Sequence, residues 1–245
     1  MIFAGASATH LVLMPSYDGG DLLARTVAEA REVWSPVWVV IDGSTDHSPA
    51  EAEAMARLDP GLRVLRLSRN QGKGAAVHHG LLVARACGFT HALVMDGDGQ
   101  HPADAIPAFM AASADAPDAL IMGRPVFGAD APWERVTGRR LSNQLATLEA
   151  GRPVGDALFG FRVYPIGSLL AVMEKTHGMR RFDFDPEALT RLAWRGLPLI
   201  HLPVRVRYLG PAEGGISHFK YLRDNVLLAR MHLRILGALL FRRKF

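Results

Sequence analysis

Two carboxylates one residue apart carry the clearest chemistry in this chain. Asp96-Gly97-Asp98-Gly99-Gln100-His101 follows directly on the apolar run Ala92–Met95. Paired acids at the mouth of a buried strand suit a hard divalent cation, Mn2+ or Mg2+, that keeps positions open for diphosphate oxygens. Such an ion would neutralise charge developing on a leaving nucleoside diphosphate, which makes Asp98 a catalytic candidate and Asp96 its partner in metal binding. Gly97 lets the backbone come close to a ligand.

Three further polar segments have the same setting. Asp42-Gly43-Ser44-Thr45-Asp46 follows the apolar run Val37–Ile41; Asp42 can accept from a base or a ribose, and Ser44 and Asp46 are suited to cap the next helix. Pro15-Ser16-Tyr17-Asp18-Gly19-Gly20 ends an earlier run, and Tyr17 offers an aromatic face to a nucleobase. Arg69-Asn70-Gln71-Gly72-Lys73-Gly74 looks like a phosphate loop but lacks the Walker spacing and the hydroxyl after the lysine. It reads as a loop-to-helix element whose glycines permit close packing, with Lys73 facing the diphosphate.

The elements that must position these residues alternate. Strands are expected at Leu11–Met14, Val37–Ile41, Leu62–Leu67, Ala92–Met95 and Ala119–Met122. Helices fall between them: one capped by Asp21 with Leu22, Leu23, Thr26, Val27, Ala30 and Val33 on one face, then Ala50–Leu58, Gly72–Cys87, and one opened by Pro102. Beyond these, Trp133–Leu148 and Pro186–Trp194 read as helices and Phe161–Tyr164 as a strand. Leu199–Leu202 and Val204–Tyr208 read as an edge strand broken at Pro203. This predicts an α/β fold, a mostly parallel sheet with helices on both faces, whose strand ends converge on one ligand site.

Composition fits that class. The chain has 245 residues, 49% hydrophobic and 21% charged, enough for one α/β domain with a short appendage. Its formal charge of +4 is weighted toward the C-terminal part, which points to an anionic partner: a nucleotide, a lipid head group or a membrane surface. No nucleic-acid module or aromatic-interleaved basic stripe is visible, so a nucleic-acid partner is not expected. Cys87, the single cysteine, reads as a small buried helix residue and suits a reducing compartment. Met1–Thr9 has neither the basic start nor the apolar run of a signal peptide. No apolar run approaches the roughly 20 residues that cross a bilayer.

Taken in order, PSYDGG, VVIDGSTD, RNQGKGAA and DGDGQHP, followed by GRP at Gly123–Pro125 and GFRVYP at Gly160–Pro165, resemble the family 2 glycosyltransferases of the GT-A, Rossmann-like fold. The resemblance spans roughly residues 10–210 and comes nearest to the polyprenyl- and dolichyl-phosphate sugar synthases. It implies nucleotide contacts from Pro15, Tyr17, Val40 and Asp42. It also implies metal and diphosphate contacts from Asp96, Asp98 and Gln100, and places Arg124 near the donor, a UDP- or GDP-sugar. Ile41 stands where the family usually has a second acid, and Gly19 where the polyprenyl-phosphate enzymes usually have glutamate. Arg207, with His218 in place of a lysine, takes the position of the late basic residues that grip phosphate in those enzymes. FDFDPEALTRLAWRG, LPVRVRY and GGISHFKYLRDN look more like bacterial enzymes encoded beside, or fused to, lipid acyltransferases, which implies an acyltransferase partner.

The acceptor side is read from Phe182–Glu187, where three acids surround a helix start favoured for carboxylates. A hydroxyl acceptor in an inverting transfer needs a general base, for which Asp185 and Glu187 are the candidates; a phosphate monoester arrives ionised and needs none. Residues 211–245 form a separate segment after a domain at 1–210. Within it, Tyr221–Phe245 reads as a basic amphipathic helix, with Arg223, Arg230 and Arg234 on one face and Val226, Leu233, Leu236 and Leu240 apolar, fit to lie on a membrane; His232, opposite the arginines, reads as packing. The expectation is a peripheral transferase on the cytoplasmic membrane face that serves a lipid-linked acceptor. A sugar nucleotidyltransferase is the competing enzyme class, though Pro15–Gly20 lacks the basic residues it wants. A catalytically silent membrane-bound subunit is the non-enzyme alternative.

Overall fold

The apolar runs form strands and the 3.6-periodic stretches form helices in a computed structural model that describes residues 6–126, 133–206 and 221–240. The strands are β1 His10–Ser16, β2 Val37–Asp42, β3 Leu62–Leu67, β4 His91–Val94, β5 Leu120–Val126, β6 Arg162–Pro165 and β7 Leu199–Arg205. They make one seven-stranded sheet in the order β3-β2-β1-β4-β6-β5-β7. Only β6 runs against its neighbours, β4 and β5.

Every residue of β1, β2 and β4 is buried, which is why these strands are apolar at consecutive positions, with polar residues only at their ends, rather than alternating. The pleat sends alternate side chains to opposite faces. Leu11, Leu13 and Val40 pack with Val77 and Leu81 of α3 (Lys73–Ala86), Leu169 and Leu170 of α6 (Ile166–Met173), and Leu189 and Leu192 of α7 (Phe184–Trp194). Val12, Met14, Val39 and Ile41 pack on the other face with Leu23 and Val27 of α1 (Gly20–Val33), Ala52 of α2 (Ser48–Leu58), and Ile106 and Phe109 of α4 (Ile106–Asp115). Two helical layers therefore cover one sheet.

Several local expectations are corrected. Asp21 lies in the first turn of α1 without capping it and meets His47 at 2.7 Å instead. Pro102 precedes a short 3₁₀ turn, Ala103–Ala105, ahead of α4. Helix α6 was not anticipated: Ile166, Leu169, Leu170 and Met173 are buried at helical spacing with Gly167 exposed, but eight residues give barely two turns of that period. Pro203 does not break β7. The strand is at the sheet edge, where a residue without an N–H is tolerated, and it pairs with β5 through to Arg205. Cys87 sits just past α3 and is exposed.

The last described helix, α8 (Tyr221–Leu240), packs against α5 (Trp133–Ala150) and reaches the start of α7 through Arg234. Asp224, Met231 and Ile235 are buried on its inner side. Arg234, expected on a lipid-facing basic side, turns inward: its guanidinium donates to Asp183 at 3.0 Å and to Glu187 at 2.6 Å. His232 does more than pack, since its Nδ1 lies 2.6 Å from Glu149. Leu222, Val226, Leu233, Leu236 and Leu240 remain exposed. No helix among the described residues is long and apolar enough to cross a membrane. The expected boundary at 210/211 lies outside the described residues.

Candidate active site

The C-terminal ends of β1 to β4 deliver four polar loops to one edge of the sheet, and carboxylates tie those loops together. Asp18 Oδ1 accepts from the Thr45 amide at 2.7 Å, and the Asp18 amide donates to Ser44 Oγ. Asp46 accepts from the Gly20 amide at 2.8 Å. Ser44 and Asp46 thus stitch the first two loops, and Asp46 also accepts the amide of Ser48, the first residue of α2, at 3.2 Å, as its expected capping role requires. Both oxygens of Asp42 accept backbone amides of the third loop, from Gln71 at 2.8 Å and Gly72 at 2.7 Å. Gly43 has φ of +66°, and a Cβ there would strike the Arg69–Asn70 backbone, so only glycine lets the loops close so tightly.

Lys73 opens α3 and forms the centre of a charged row. Its Nζ lies 2.8 Å from Asp96 and 2.8 Å from Asp185. A Cβ at Gly72 or Gly74 would overlap the Met179–Arg181 backbone, which backs this loop and accepts the Ala75 amide at Arg180. Asp183 closes that turn by accepting the amides of Met179 and Arg181.

The acidic loop after β4 is held from beneath by His101. Its buried ring accepts the Asp96 amide at 3.0 Å through Nδ1 and stands edge-on to Phe159. Burial lowers the His101 pKa, against the pull of Asp96 and Asp98, so the ring is neutral, as an acceptor must be. Burial works against the charge of Asp96 too, yet Lys73 outweighs it and holds that carboxyl below its ordinary value. Asp98 is pushed up, by burial first and then by the negative charge of Asp96. Asp96 Oδ1 is taken by Lys73 and Asp98 Oδ1 by the Gln100 amide. The second oxygen of each accepts nothing among the described residues. A hard cation between them would relieve the repulsion that raises Asp98, so the donor set fits one.

These loops enclose a cleft of about 470 Å³. Pro15, Tyr17, Asp42, Lys73, Asp96, Gly97, Asp98 and Gln100 all line it. Gly97 is needed for packing as well, since a Cβ would press on Leu23. Asp18 beside Tyr17 raises the phenol pKa. Lys73, expected to face a diphosphate, lines the cleft while bridging two carboxylates.

Other expected residues lie outside the cleft lining. Val40 is fully buried against Gly80 in the core, because the pleat directs it away from the cleft. Glu187 is sealed among Arg191 at 2.8 Å and Arg234 at 2.6 Å, with no exposed surface, and cannot act as a base. Asp185 sits behind Lys73 and does not line the cleft. Arg124 is exposed near the end of β5, outside the cleft lining. Arg207 and His218 lie outside the described residues. Sequence reasoning missed Ser16, Asn70, Arg181, Phe182 and Arg223 as lining residues. Arg181 directly precedes the acidic Phe182–Glu187 motif, so its position was a usable signal; Arg223 had none beyond charge. Asp21, His47 and Glu51 form an exposed group elsewhere, at the starts of α1 and α2.

A mostly parallel sheet covered on both faces, with paired acids just past its central strand, is an arrangement of the GT-A type. Residues 11–170, more than half of the chain, match the glycosyl transferase family 2 profile, and the chain belongs to that family of glycosyltransferases. It is 27% identical to the undecaprenyl-phosphate mannosyltransferase of Micrococcus luteus, over 84% of this chain and 88% of that protein. It is 24% identical to the polyprenol monophosphomannose synthase of Mycolicibacterium smegmatis, over 79% of this chain and 76% of that one. Among solved structures, it shares its fold with glucosyl-3-phosphoglycerate synthase of Mycobacterium tuberculosis, in a complex with Mn2+, UDP and glucosyl-3-phosphoglycerate. The TM-score is 0.63 at 18% identity, covering 96% of this chain and 80% of that one.

Proposed function

We propose that the chain transfers a sugar, with inversion, from a UDP- or GDP-sugar to a polyprenyl phosphate, at the cytoplasmic face of a membrane. Membership of the glycosyltransferase family sets the nucleotidyltransferase alternative aside. The observation that carries the reading is the Asp96–Asp98 pair, facing the cleft with one oxygen of each unspent. Asp96, Asp98 and Gln100 would hold Mn2+ or Mg2+, which when bound offsets charge on the nucleoside diphosphate. Tyr17 and Pro15 form the wall for the base, and Asp42 keeps the Gln71–Gly72 loop in place beneath it.

The choice of a phosphate acceptor over a hydroxyl follows from the two carboxylates. A general base needs reach to its proton, and Glu187 is locked in an ion cluster while Asp185 is held behind Lys73. An acceptor that arrives ionised avoids the need. Its phosphate oxygen attacks the anomeric carbon as the bond to the diphosphate breaks, and no proton is removed. The names of the two lipid-phosphate relatives support the same choice. The outer side of α8, apolar with Arg223 and Arg230 beside it, supports attachment to an anionic membrane surface. The resemblance of the C-terminal part motivates a search for an acyltransferase partner by co-purification.

The test is transfer of radiolabelled sugar to undecaprenyl phosphate, with and without chelator. Chelation is expected to abolish transfer and added Mn2+ to restore it. Full activity in chelator would sink the metal, and absence of both donor hydrolysis and transfer would favour the silent subunit.

A further inference from the structure

The cleft does not end at the sheet edge. Arg181 and Arg223 form part of its wall and also part of a second cavity, of about 570 Å³, that runs along α8. The floor of this groove is apolar, built from Leu222, Val226 and Leu227, and Arg230 stands at its far end. Leu222 is 80% exposed and Val226 44% exposed, a cost in water that a covering ligand would remove.

Its charge is one-sided. Three arginines line it with a single carboxylate, Asp224, which is buried and pairs with Arg223 at 2.8 Å and 3.1 Å, so Arg181 and Arg230 are the excess charge and Arg223 is held in place with Nη1 outside that pair. Arg181 is steadied by a neutral acceptor, Asn70 Oδ1 at 3.0 Å, so its positive charge stays available. The shared arginines stand where the cleft opens into the groove, and the apolar floor begins beyond them. An anion followed by a hydrocarbon chain matches that order. A second copy of this chain does not, because a twofold contact would set arginine against arginine.

We propose that this groove is the acceptor subsite: Arg181 and Arg223 hold the phosphate of a phosphorylated isoprenoid, and Leu222, Val226 and Leu227 seat its first isoprene units. This rests on the lipid-phosphate reading above and adds the place where that lipid lies. The phosphate then meets the sugar end of the cleft, and the chain leaves along α8.

The test uses the full chain with a short, water-soluble isoprenyl phosphate as acceptor, so that groove binding is separated from adhesion to membranes. Val226→Asp and Leu222→Asp are the variants, with circular dichroism and the thermal shift on adding nucleoside diphosphate as controls for the fold. Each variant is expected to raise KM for the isoprenyl phosphate about tenfold. The kcat and the donor KM should hold. Arg230→Glu should raise the same acceptor KM in a protein whose cleft is untouched. An unchanged acceptor KM in all three overturns the groove while leaving the lipid-phosphate reading intact. Loss of vesicle binding alone, or conversion of a dimer to a monomer alone, assigns the face to bilayer lipid or to a second copy and likewise overturns it. A wild-type protein that consumes donor but transfers to no isoprenyl phosphate overturns both readings.

Discussion

Asp98 and Lys73 show how differently two charged residues in one cleft depend on their surroundings. Asp98 is raised by burial and by Asp96, and a cation would reverse that. Asp98→Ala is therefore expected to lower kcat by at least about a hundredfold and to abolish the Mn2+-dependent part of nucleotide binding, read by calorimetry. Lys73 compensates two carboxylates, and Asp185 Oδ1 already lacks a partner. Lys73→Met should cost about 3–5 kcal/mol in a urea melt, since it strands a buried charge. Replacing Asp185 by leucine in the same protein should recover part of that loss. The acidic pair was legible in the sequence because both acids follow one apolar strand within three positions. The lysine's second partner was not, because 112 positions separate Lys73 from Asp185 and only the fold brings them together. Glu187 misled in part for the same reason: an acid beside a helix start looks available until Arg191, one turn on in α7, and Arg234, 47 positions away, are seen to enclose it.

At the level of elements, strands with continuous apolar runs were readable, and β3 matches its expected range residue for residue. Strand β6 was readable too, expected at Phe161–Tyr164, but its reversal was not, because alternation of strand and helix implies parallel pairing and direction leaves no mark in four residues. Helix α8 is held by Arg234 against the N-terminal acids of α7. Arg234→Ala is expected to lower stability by about 1–3 kcal/mol and to speed proteolytic cleavage within 221–240. At the other end of the sheet, the start of β1 is sensitive to pH. His10 stacks on His91 of β4 at 4.4 Å and reaches Ser113 Oγ at 3.2 Å. Burial, then the charge of His91, lowers its pKa from 6.5 to about 4. Between these values the unfolded chain binds the extra proton, so stability is complete above the higher value and is lost as pH falls toward the lower one. The melting temperature should drop across that window, and His10→Gln should make the drop shallower.

For the whole molecule, the sharpest readout is linkage between ligand and stability. Nucleoside diphosphate at a hundredfold excess over its dissociation constant should stabilise the fold by about 2.7 kcal/mol, seen as a rise in melting temperature that requires Mn2+ or Mg2+ and vanishes in Asp98→Ala. The architecture followed from the sequence because each of the first four strands ends in a polar loop. The acceptor groove did not, because its walls come from the turn at 181 and from α8, which share no motif. The latch between Arg234 and Asp183 carries one more implication. Asp183 shapes the turn behind Lys73, yet its counter-charge lies 51 positions further along. On the ribosome, the residues of the cleft floor are therefore synthesised before the residue that braces its rear wall. A nascent chain stalled before residue 234 is expected to hold a nucleoside diphosphate more weakly than one stalled beyond it, although both carry Asp96, Asp98 and Gln100, and a binding assay on the two stalled chains checks this.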